Sequence, residues 1–436
     1  MIYKVPTDFR EFEEMCSHAE CSLPFSNKTN VLSSEISIAN KTFNNRVVYQ
    51  AMEGCDGTAD GRPDELTKRR YDRFAKGGPS LIWFEATAVM HEGRANPRQL
   101  YINKNNLDAF SKAVESIKST CMKANGFEPV VICQLTHSGR YSKPDGKPAP
   151  RIAYNNPIFE KDAPIDKSAI LTDSELDSIS EALVNGALLA QKAGFDGADI
   201  KSCHRYLLSE LLSAYERDGR YGGSFENRTR MLLQTTENAV ASCSKDFIIT
   251  TRLNAYDGFP YPYGFSVKRD GSITPDFNEA IALVKELHKK GVRLVNITMG
   301  NPYFNPHVNR PFAKGAYNSP IHPVKGVADM LNGTACIKKA VPEMMVISSA
   351  LSFLGPLSAN VAAGGIENGM FDFGGWGRMT LAYPSLAKDI TEKGSLDASK
   401  ICLACSCCSQ IMRNGGRPGC VIRDRDVYGE EFKKYC

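Results

Sequence analysis

The sequence predicts an α/β protein whose main body is a (β/α)8 barrel and whose C-terminus carries a short cysteine-rich extension. Two observations predict the barrel: eight short apolar runs alternate with longer amphipathic or alanine-rich stretches, and polar side chains gather where those runs end. One observation predicts the extension, because five of the fourteen cysteines lie between residues 402 and 420.

The eight apolar runs have the length and composition of buried parallel strands. A doubly wound sheet is the alternative fold, but it is expected to carry a glycine-rich G-x-G-x-x-G turn after its first strand. Residues 46–60 contain no such turn, so we prefer the barrel. The predicted strands cover residues 46–52, 80–89, 130–137, 197–202, 247–254, 294–300, 344–350 and 371–377.

Helices are predicted between the strands, and two of them have clear signals at their ends. An aspartate lies at the start of each, at Asp173 and Asp276, and a glycine follows the end, at Gly194 and Gly291. These residue types are typical of helix starts and stops. The clearest helical segments cover residues 107–125, 173–194 and 276–291.

Polar residues follow several of the predicted strands. In a barrel the carboxyl ends of the strands meet at one rim, where ligands bind. The stretch 141–165 is long and proline-rich, and a loop of this kind at that rim is expected to be a lid or a substrate-specificity element. A plain surface loop is the alternative. The polar residues at strand ends are Glu53, Gln134, His137, Lys201, His204, Arg252, Asn254 and Arg378.

We expect two units, a barrel with an N-terminal extension over residues 1–395 and a metal-binding tail over residues 396–436. No apolar run reaches the roughly 20 residues that cross a bilayer, and the N-terminus lacks the apolar core of a secretory signal. We therefore expect a cytoplasmic protein without a membrane partner, whose thiols stay reduced. The small net charge of +4 disfavours nucleic acid as a partner.

The cysteines of the tail have the spacing of a metal site. Cys402 and Cys405 form a C-x2-C pair, Cys408 continues the spacing, and Cys420 follows a glycine-rich turn. Four such thiolates can hold one 4Fe–4S cluster, with Cys407 as an alternative third ligand. A four-cysteine zinc site uses the same thiolates but usually has two paired C-x2-C hooks. Three bunched cysteines and one remote cysteine therefore favour an iron–sulfur cluster over zinc.

Four segments that follow predicted strands carry a family resemblance. They are QLTHSGR at 134–140, the stretch 193–230 that ends in YGGSFENRTR, RLNAYDG at 252–258 and GRMTLAYPSLAKDI at 377–390. In this order and spacing they resemble the old yellow enzyme family of FMN-dependent oxidoreductases. The sequence is most similar to the branch of 2,4-dienoyl-CoA reductase and trimethylamine dehydrogenase, in which an FMN barrel precedes a four-cysteine 4Fe–4S tail. The resemblance spans residues 30–425 and implies both cofactors.

The resemblance implies a set of flavin contacts. A phosphate at the rim of a barrel needs backbone donors and a cation, which the segments after strands seven and eight would supply. Arg252 is expected to face the pyrimidine edge of the flavin, and Gln134 to hydrogen-bond the same ring. The implied contacts are Ala51, Met52, Gln134, Arg252, Ala350, Leu351, Ser352, Gly377 and Arg378.

The segment KSCHRY, from Lys201 to Tyr206, corresponds to the catalytic segment of the family. There, two donors grip the substrate carbonyl and a tyrosine two residues later protonates the substrate carbon; His204 and Tyr206 match the second donor and the tyrosine. In this sequence Lys201 stands where a histidine is usual, and Arg205 where a glycine is usual. Two positive charges in the pocket would favour an anionic substrate. The alternative is that Lys201 pairs with a carboxylate in a structural role. His307 is expected to back Tyr206, with an ordinary surface histidine as the alternative.

The resemblance implies an ene-reductase that transfers hydride from FMN to a C=C bond conjugated to a carbonyl or thioester. No further nucleotide-binding domain is expected after residue 436, so electrons are expected to reach the cluster from a separate ferredoxin or flavoprotein, with NAD(P)H as an indirect or direct donor. An amine dehydrogenase or demethylase is the first alternative. Two further alternatives remain. One is a non-redox barrel enzyme with a zinc tail, and the other is a subunit that carries electrons without acting on a substrate. The family also suggests an anaerobic host, while the substrate and the oligomeric state stay open.

Overall fold

The computed structural model describes residues 3–161 and 163–436. Within these ranges no helix is both long and apolar enough to cross a membrane. The strands are β1 (Ile36–Ile38), β2 (Lys41–Phe43), β3 (Val47–Tyr49), β4 (Leu81–Ala88), β5 (Val130–Thr136), β6 (Gly197–Ile200), β7 (Ile248–Asn254), β8 (Leu294–Thr298), β9 (Met345–Ile347) and β10 (Gly374–Trp376). The helices are α1 (Phe9–His18), α2 (Glu65–Lys76), α3 (Leu107–Asn125), α4 (Pro157–Glu160), α5 (Asp173–Lys192), α6 (Leu207–Leu211), α7 (Phe225–Ser242), α8 (Asn278–Lys289), α9 (Pro306–Asn309), α10 (Pro323–Ala340), α11 (Ser358–Glu367), α12 (Arg378–Ala382), α13 (Leu386–Lys393), α14 (Cys407–Arg413) and α15 (Arg425–Tyr435).

Strands β3 to β10 form a parallel barrel. They lie in the order β10-β3-β4-β5-β6-β7-β8-β9, and a parallel bridge between Ile347 and Phe373 joins the two outer strands. Each strand falls inside one of the eight predicted apolar runs, because a strand that is covered on both faces must be apolar along its length. The predicted (β/α)8 barrel is therefore confirmed, and the doubly wound alternative is excluded.

The amino-terminal end of the barrel is closed by an apolar layer. The hairpin β1–β2 contributes Ile38 and Phe43, which are buried with Trp83, Ile132 and other residues of the barrel interior. The ring of Phe43 meets that of Phe373 edge to face, with 5.3 Å between centroids. Since this end is filled with apolar side chains, the space for a polar ligand lies at the opposite, carboxyl rim.

The start of α5 differs from the prediction. Thr172 rather than Asp173 caps the helix: its hydroxyl accepts a hydrogen bond from the Glu175 N–H, and the Glu175 carboxylate accepts one from the Thr172 N–H. Asp173 is the first helical residue and pairs with Arg217 at 2.9 Å. Gly194 follows the helix with a φ of +90°, a conformation that glycine adopts without strain.

The tail is tied to the barrel by polar contacts with the loops and helices of its carboxyl rim. The Arg98 guanidinium donates to the carbonyl oxygen of Gly415 at 2.6 Å. Both terminal nitrogens of Arg69 bind the Asp424 carboxylate, at 2.7 and 2.9 Å, and Arg73 binds the same group. These contacts place the cysteine segment over the rim rather than at the side of the barrel.

Candidate active site

A cavity of about 160 Å³ opens at the carboxyl rim of the barrel, and we call it the flavin cavity. Most of the residues that the sequence predicts for the site line it, and they come from the ends of β3, β5, β6, β7, β9 and β10 together with the tail. Five predicted residues do not line it: Leu351, which is buried in the core, His307, and the tail cysteines Cys402, Cys405 and Cys420. The predicted residues that do line it are Ala51, Met52, Gln134, Lys201, His204, Tyr206, Arg252, Ala350, Ser352, Gly377, Arg378 and Cys408.

The base of the flavin cavity is a hydrogen-bonded group around Asp199, which the sequence analysis did not single out. The Asp199 carboxylate accepts from Gln134 at 2.7 Å, from Trp83 at 2.8 Å and from the Arg252 N–H at 2.7 Å. These bonds hold Gln134 and Arg252 in place. The side chain of Arg252 is 8% exposed, and its Nε has no hydrogen-bond partner among the described residues.

Arg378, which also lines the flavin cavity, is suited to a phosphate. One terminal nitrogen donates to the Pro311 carbonyl at 2.6 Å, whereas the buried Nη1 has no partner in the described ranges. The Ser352 hydroxyl accepts from the Met379 N–H at 3.1 Å and orders the backbone beside it. A buried guanidinium nitrogen without a partner is costly unless a ligand satisfies it. The residues therefore fit a planar, phosphate-bearing group such as FMN.

The segment after β6 is strained and presents one side chain to the cavity. His204 and Arg205 both have positive φ angles, of 63° and 61°. This conformation is unfavourable for residues with a Cβ atom and recurs at functional sites. His204 faces the cavity with an Nε2 that has no partner among described residues. Burial and then the charges of Arg252 and Lys201 hold its pKa well below the ordinary value, so the imidazole is neutral.

Arg205 does not line the cavity, which corrects the expectation that it contributes to a cationic pocket. Its guanidinium pairs with Asp257 at 2.8 Å and donates to the Tyr154 hydroxyl at 2.8 Å, and the side chain is 1% exposed. The rings of Phe159 and Phe259, which contact each other edge to face, lie 5.3 and 5.8 Å from the guanidinium. Arg205 thus anchors the turn that points His204 inward.

Lys201 and Tyr206 stand together at the cavity wall. The Lys201 ammonium lies 3.7 Å from the centroid of the Tyr206 ring, a cation–π contact that favours the charged amine. Burial lowers the pKa of Lys201, and the charges of Cys203 and Glu53 oppose that shift. No carboxylate in the described ranges forms an ion pair with Lys201, so the structural pairing considered for it is not seen.

The partner of Tyr206 is a residue that the sequence analysis missed. The hydroxyl groups of Tyr206 and Tyr303 are 3.0 Å apart, and the Tyr303 ring lies 4.1 Å from that of Tyr141. Burial, with Tyr303 and Glu53 nearby, raises the pKa of Tyr206 well above its ordinary value, so it holds its proton. A tyrosine in a loop after β8 carries no local signal, and only its position beside Tyr206 identifies it.

His307, in contrast, lies elsewhere. Its Nδ1 is 2.6 Å from the Tyr317 hydroxyl, and its ring lines a separate cavity with residues of α10. The expected support of Tyr206 by His307 is therefore corrected, because α9 carries this histidine away from the flavin cavity while Tyr303, a few residues earlier, faces it.

Glu53 adds a carboxyl group to the cavity wall. Its Oε1 accepts from the Asn96 side chain at 2.9 Å. Burial raises the pKa of Glu53, whereas the charge of Lys201 lowers it. The residue that follows Glu53 is also held in place, since the Gly54 N–H donates to the Glu85 carboxylate at 2.7 Å. The sequence analysis included Glu53 among the polar residues at strand ends but assigned it no function.

The tail cysteines surround a second, small cavity behind Arg378. Burial raises the pKa of Cys402 to about 12, which Arg378 opposes. Cys408 and Arg378 line both this cavity and the flavin cavity, whereas Cys407 lines only the former. Across residues 3–161 and 163–436, no three His, Cys, Asp or Glu side chains are placed to hold a single metal ion. The thiols that line the cavity are those of Cys402, Cys405, Cys407, Cys408 and Cys420.

Several thiols around one cavity are the donor set that an iron–sulfur cluster takes. They would hold the cluster beside the flavin cavity, with the Arg378 side chain between the two spaces. The identity of the metal and its four ligands stays a prediction.

Comparison with known proteins establishes the class. The model of the NADH:flavin oxidoreductase / NADH oxidase family matches residues 32–314. The chain belongs to this family, as its resemblance to the old yellow enzymes predicts, and it is a flavin-dependent oxidoreductase for which the family implies FMN and NAD(P)H. This excludes the non-redox barrel enzyme.

Individual relatives agree with this assignment. NADPH dehydrogenase of Halalkalibacterium halodurans is 31% identical over 265 residues, which are 59% of this chain and 70% of that protein. Among solved structures, 2-naphthoyl-CoA reductase in complex with 2-naphthoyl-CoA superposes with a TM-score of 0.73 at 20% identity, over 93% of this chain and 58% of its own. Histamine dehydrogenase from Rhizobium sp. 4-9 gives 0.69 at 19% identity, over 91% and 52%. The chain thus spans little more than half the length of these two structures, which share its fold.

Proposed function

We propose that the protein is an FMN- and iron–sulfur-dependent ene-reductase, which reduces a C=C bond conjugated to a carbonyl or thioester. One observation carries the proposal: Lys201, His204 and Tyr206 line the same cavity as the unpartnered nitrogens of Arg252 and Arg378. Two polarising donors and one proton donor are the groups that this reaction needs from the protein. When bound, FMN supplies a hydride and the cluster supplies single electrons.

Lys201 and His204 bind the carbonyl oxygen of the substrate. His204 is neutral and its Nε2 is buried, so this nitrogen can donate a hydrogen bond without carrying a charge into the cavity. No carboxylate of the described residues forms an ion pair with the Lys201 ammonium, and this ammonium stabilises negative charge as it develops on the oxygen. Both donors are preorganised, because β6 and the strained turn that Arg205 anchors hold them in place.

Tyr206 protonates the α-carbon of the substrate. Its raised pKa keeps the hydroxyl protonated, and the side chain is shielded from solvent, since it is only 2% exposed. Tyr303 shares a hydrogen bond at the same oxygen and so orients the hydroxyl. In this proposal Tyr303 takes the place that the sequence analysis assigned to His307.

The remaining residues hold the cofactors. Arg378 and the backbone around Ser352 and Gly377 bind the phosphate of FMN, and Gln134 and Arg252 contact its pyrimidine ring. Cys402, Cys405, Cys408 and Cys420 bind the 4Fe–4S cluster. We prefer Cys408 to Cys407 because it lies on the wall that the two cavities share. Electrons come from a separate ferredoxin or flavoprotein, or from NAD(P)H.

An anaerobic screen tests the proposal. The enzyme is reduced with dithionite and mixed with an enone, an enoate or an enoyl-CoA, while flavin reoxidation is followed by absorbance. Reoxidation by at least one class faster than in the alkene-free control is expected. If no class reoxidises a flavin shown to be bound and reduced, the proposal is wrong. Stopped-flow mixing with NADH identifies the donor, since rapid bleaching of the flavin means that no partner protein is needed.

Amine oxidation is the second candidate, and the structural likeness to histamine dehydrogenase is the observation in its favour. Tyr141, Tyr206 and Tyr303 lie close together, as in an aromatic cage for a substituted ammonium. One face of Tyr206 is already occupied by the Lys201 ammonium, however, and this charge repels a cationic substrate. Bleaching of the oxidised flavin by trimethylamine or histamine would favour this candidate over ene reduction.

A further inference from the structure

Glu53 stands between the flavin cavity and a larger cavity, which we call the outer cavity. The outer cavity has a volume of about 750 Å³, and it shares Glu53, Tyr303 and Met412 with the lining of the flavin cavity. Its lining also includes the exposed side chains of Lys143 and Arg413, so it reaches the protein surface. A single water molecule needs only about 10–15 Å³ of such space. Solvent can therefore enter the outer cavity and reach the Glu53 carboxyl group.

Tyr206 has no comparable access to solvent. Its side chain is 2% exposed, and it lines the flavin cavity but not the outer cavity. In the proposed reaction this hydroxyl loses its proton to the substrate in every turnover. It must regain a proton before the next turnover, so a neighbouring group that meets solvent is needed to deliver one.

Three neighbours of Tyr206 carry protons, and Glu53 is the best suited to deliver one. The Tyr303 hydroxyl is 3.0 Å away, but burial raises the pKa of Tyr303, which makes it a poor acid. The Lys201 ammonium lies over the face of the Tyr206 ring rather than beside its hydroxyl. Burial raises the pKa of Glu53 and so brings its protonated form closer to neutral pH. After burial and Tyr303, the charge of Glu53 also raises the pKa of Tyr206, so the two groups interact.

The Glu53 carboxyl group has a fixed position. Its Oε1 accepts a hydrogen bond from the Asn96 side chain at 2.9 Å, and the backbone next to it is held by the bond from the Gly54 N–H to Glu85. This arrangement leaves Oε2 to carry a proton. The one cation that acts on the pKa of Glu53 in the described ranges is Lys201, which opposes the effect of burial. The ionisable groups that interact with Glu53 are Cys55, Glu85, Lys201, Tyr206 and Tyr303.

We propose that Glu53 returns a proton to Tyr206 after each turnover and so acts through Tyr206 rather than on the substrate. As the α-carbon forms its new C–H bond, the O–H bond of Tyr206 breaks. The Glu53 carboxyl group then protonates the tyrosinate, which is the stronger base, and the carboxylate takes a proton from solvent in the outer cavity. With the hydride from reduced flavin, the alkene gains one hydride and one proton, and no further reactant is consumed. This inference rests on the proposed function and adds the route by which protons enter the site.

Comparison of one turnover with many tests the inference on the holoenzyme. Glu53→Gln keeps an oxygen for Asn96 but cannot pass on a proton, and Glu128→Gln, at an exposed glutamate, is the matched control. Tyr206 begins the first turnover protonated, so a single reoxidation of the reduced flavin by the alkene is expected to keep its rate within about twofold. Steady-state turnover with excess dithionite is expected to slow by about 100-fold in Glu53→Gln only.

Chemical rescue separates proton transfer from a structural effect. Acetic acid is small enough for the outer cavity, and acetate buffer is expected to restore the turnover of Glu53→Gln several-fold, whereas sodium chloride at the same ionic strength is not. Glu53→Asp retains a carboxyl group on a shorter side chain and is expected to turn over faster than Glu53→Gln.

Three results would overturn the inference. They are unchanged turnover in Glu53→Gln, equal slowing of its first reoxidation and its turnover, and slowed turnover that acetate restores in neither Glu53 variant. Failure of the proposed function is distinguishable, because no alkene would then reoxidise the reduced flavin of the unaltered enzyme.

Discussion

Removing the Tyr206 hydroxyl tests the proposed proton transfer directly. Tyr206→Phe keeps the ring, and with it the contact of 3.7 Å to the Lys201 ammonium, but removes the O–H group and its bond of 3.0 Å to Tyr303. A positioned general acid contributes about 10²–10⁴-fold to the rate. We expect reoxidation of the dithionite-reduced flavin by the alkene to slow by about 100-fold or more. FMN content and reduction by dithionite are expected to stay unchanged.

Two further variants separate proton donation from orientation. Tyr303→Phe removes one neutral hydrogen bond, worth about 0.5–1.5 kcal/mol, so the same step is expected to slow by only about 2- to 10-fold. His307→Gln is expected to have no effect, since this histidine contacts Tyr317 and lines another cavity. The measurement is anaerobic stopped-flow absorbance. An unchanged rate in Tyr206→Phe, or an equal loss in His307→Gln, would refute the assignment.

Four further predictions test the site and the tail. Arg378→Met is expected to lower the FMN content of the purified protein several-fold, measured as the ratio of flavin to protein absorbance, because the unpartnered Nη1 is lost. Cys408→Ser is expected to lose iron and acid-labile sulfide in chemical assays, while Cys407→Ser keeps them; the reverse result would exchange their roles. Burial lowers the pKa of Lys201, so carbonyl polarisation is lost as pH rises through a value below the ordinary one of about 10.4. We therefore expect the rate of the unaltered enzyme to fall at alkaline pH. The Lys201→Met variant is expected to have a lower rate overall and to lack this alkaline fall. Asp424→Asn is expected to lower the free energy of unfolding by about 1–2 kcal/mol in denaturant titrations, because the carboxylate pairs with two arginines of α2 that are each about one-third exposed and partly screened by solvent.

The barrel could be predicted because its strands are local features. Runs such as 80–89 and 130–137 are apolar along their whole length, and this pattern is typical of strands covered on both faces. Helix α3 was predicted with the bounds that it has in the structure, since its periodicity and the glycine that follows it lie within one segment. The start of α5 was predicted at Asp173, whereas Thr172 caps the helix, because the hydrogen bonds with Glu175 form at Thr172.

The candidate site was predicted where a short motif contains both the functional residue and its neighbours. Lys201, His204 and Tyr206 lie within one such motif and all reach the flavin cavity. Arg205 lies within the same motif yet points away, because its charge is neutralised by Asp257, a residue 52 positions later that only the fold brings to it. Motif position therefore predicts which residues lie near the site but not the direction of each side chain.

The sequence by itself determined the class of fold, the cysteine cluster and the family to which the chain belongs. These depend on apolar periodicity and on residue spacing, which are properties of contiguous segments. Tertiary structure alone decided that Tyr303 rather than His307 contacts Tyr206, that Cys408 shares a wall with the flavin cavity, and that loop 141–165 faces the tail across a cationic space. The physical reason is that burial, ion pairing and cavity walls depend on residues distant in sequence, whose positions follow only when the barrel closes.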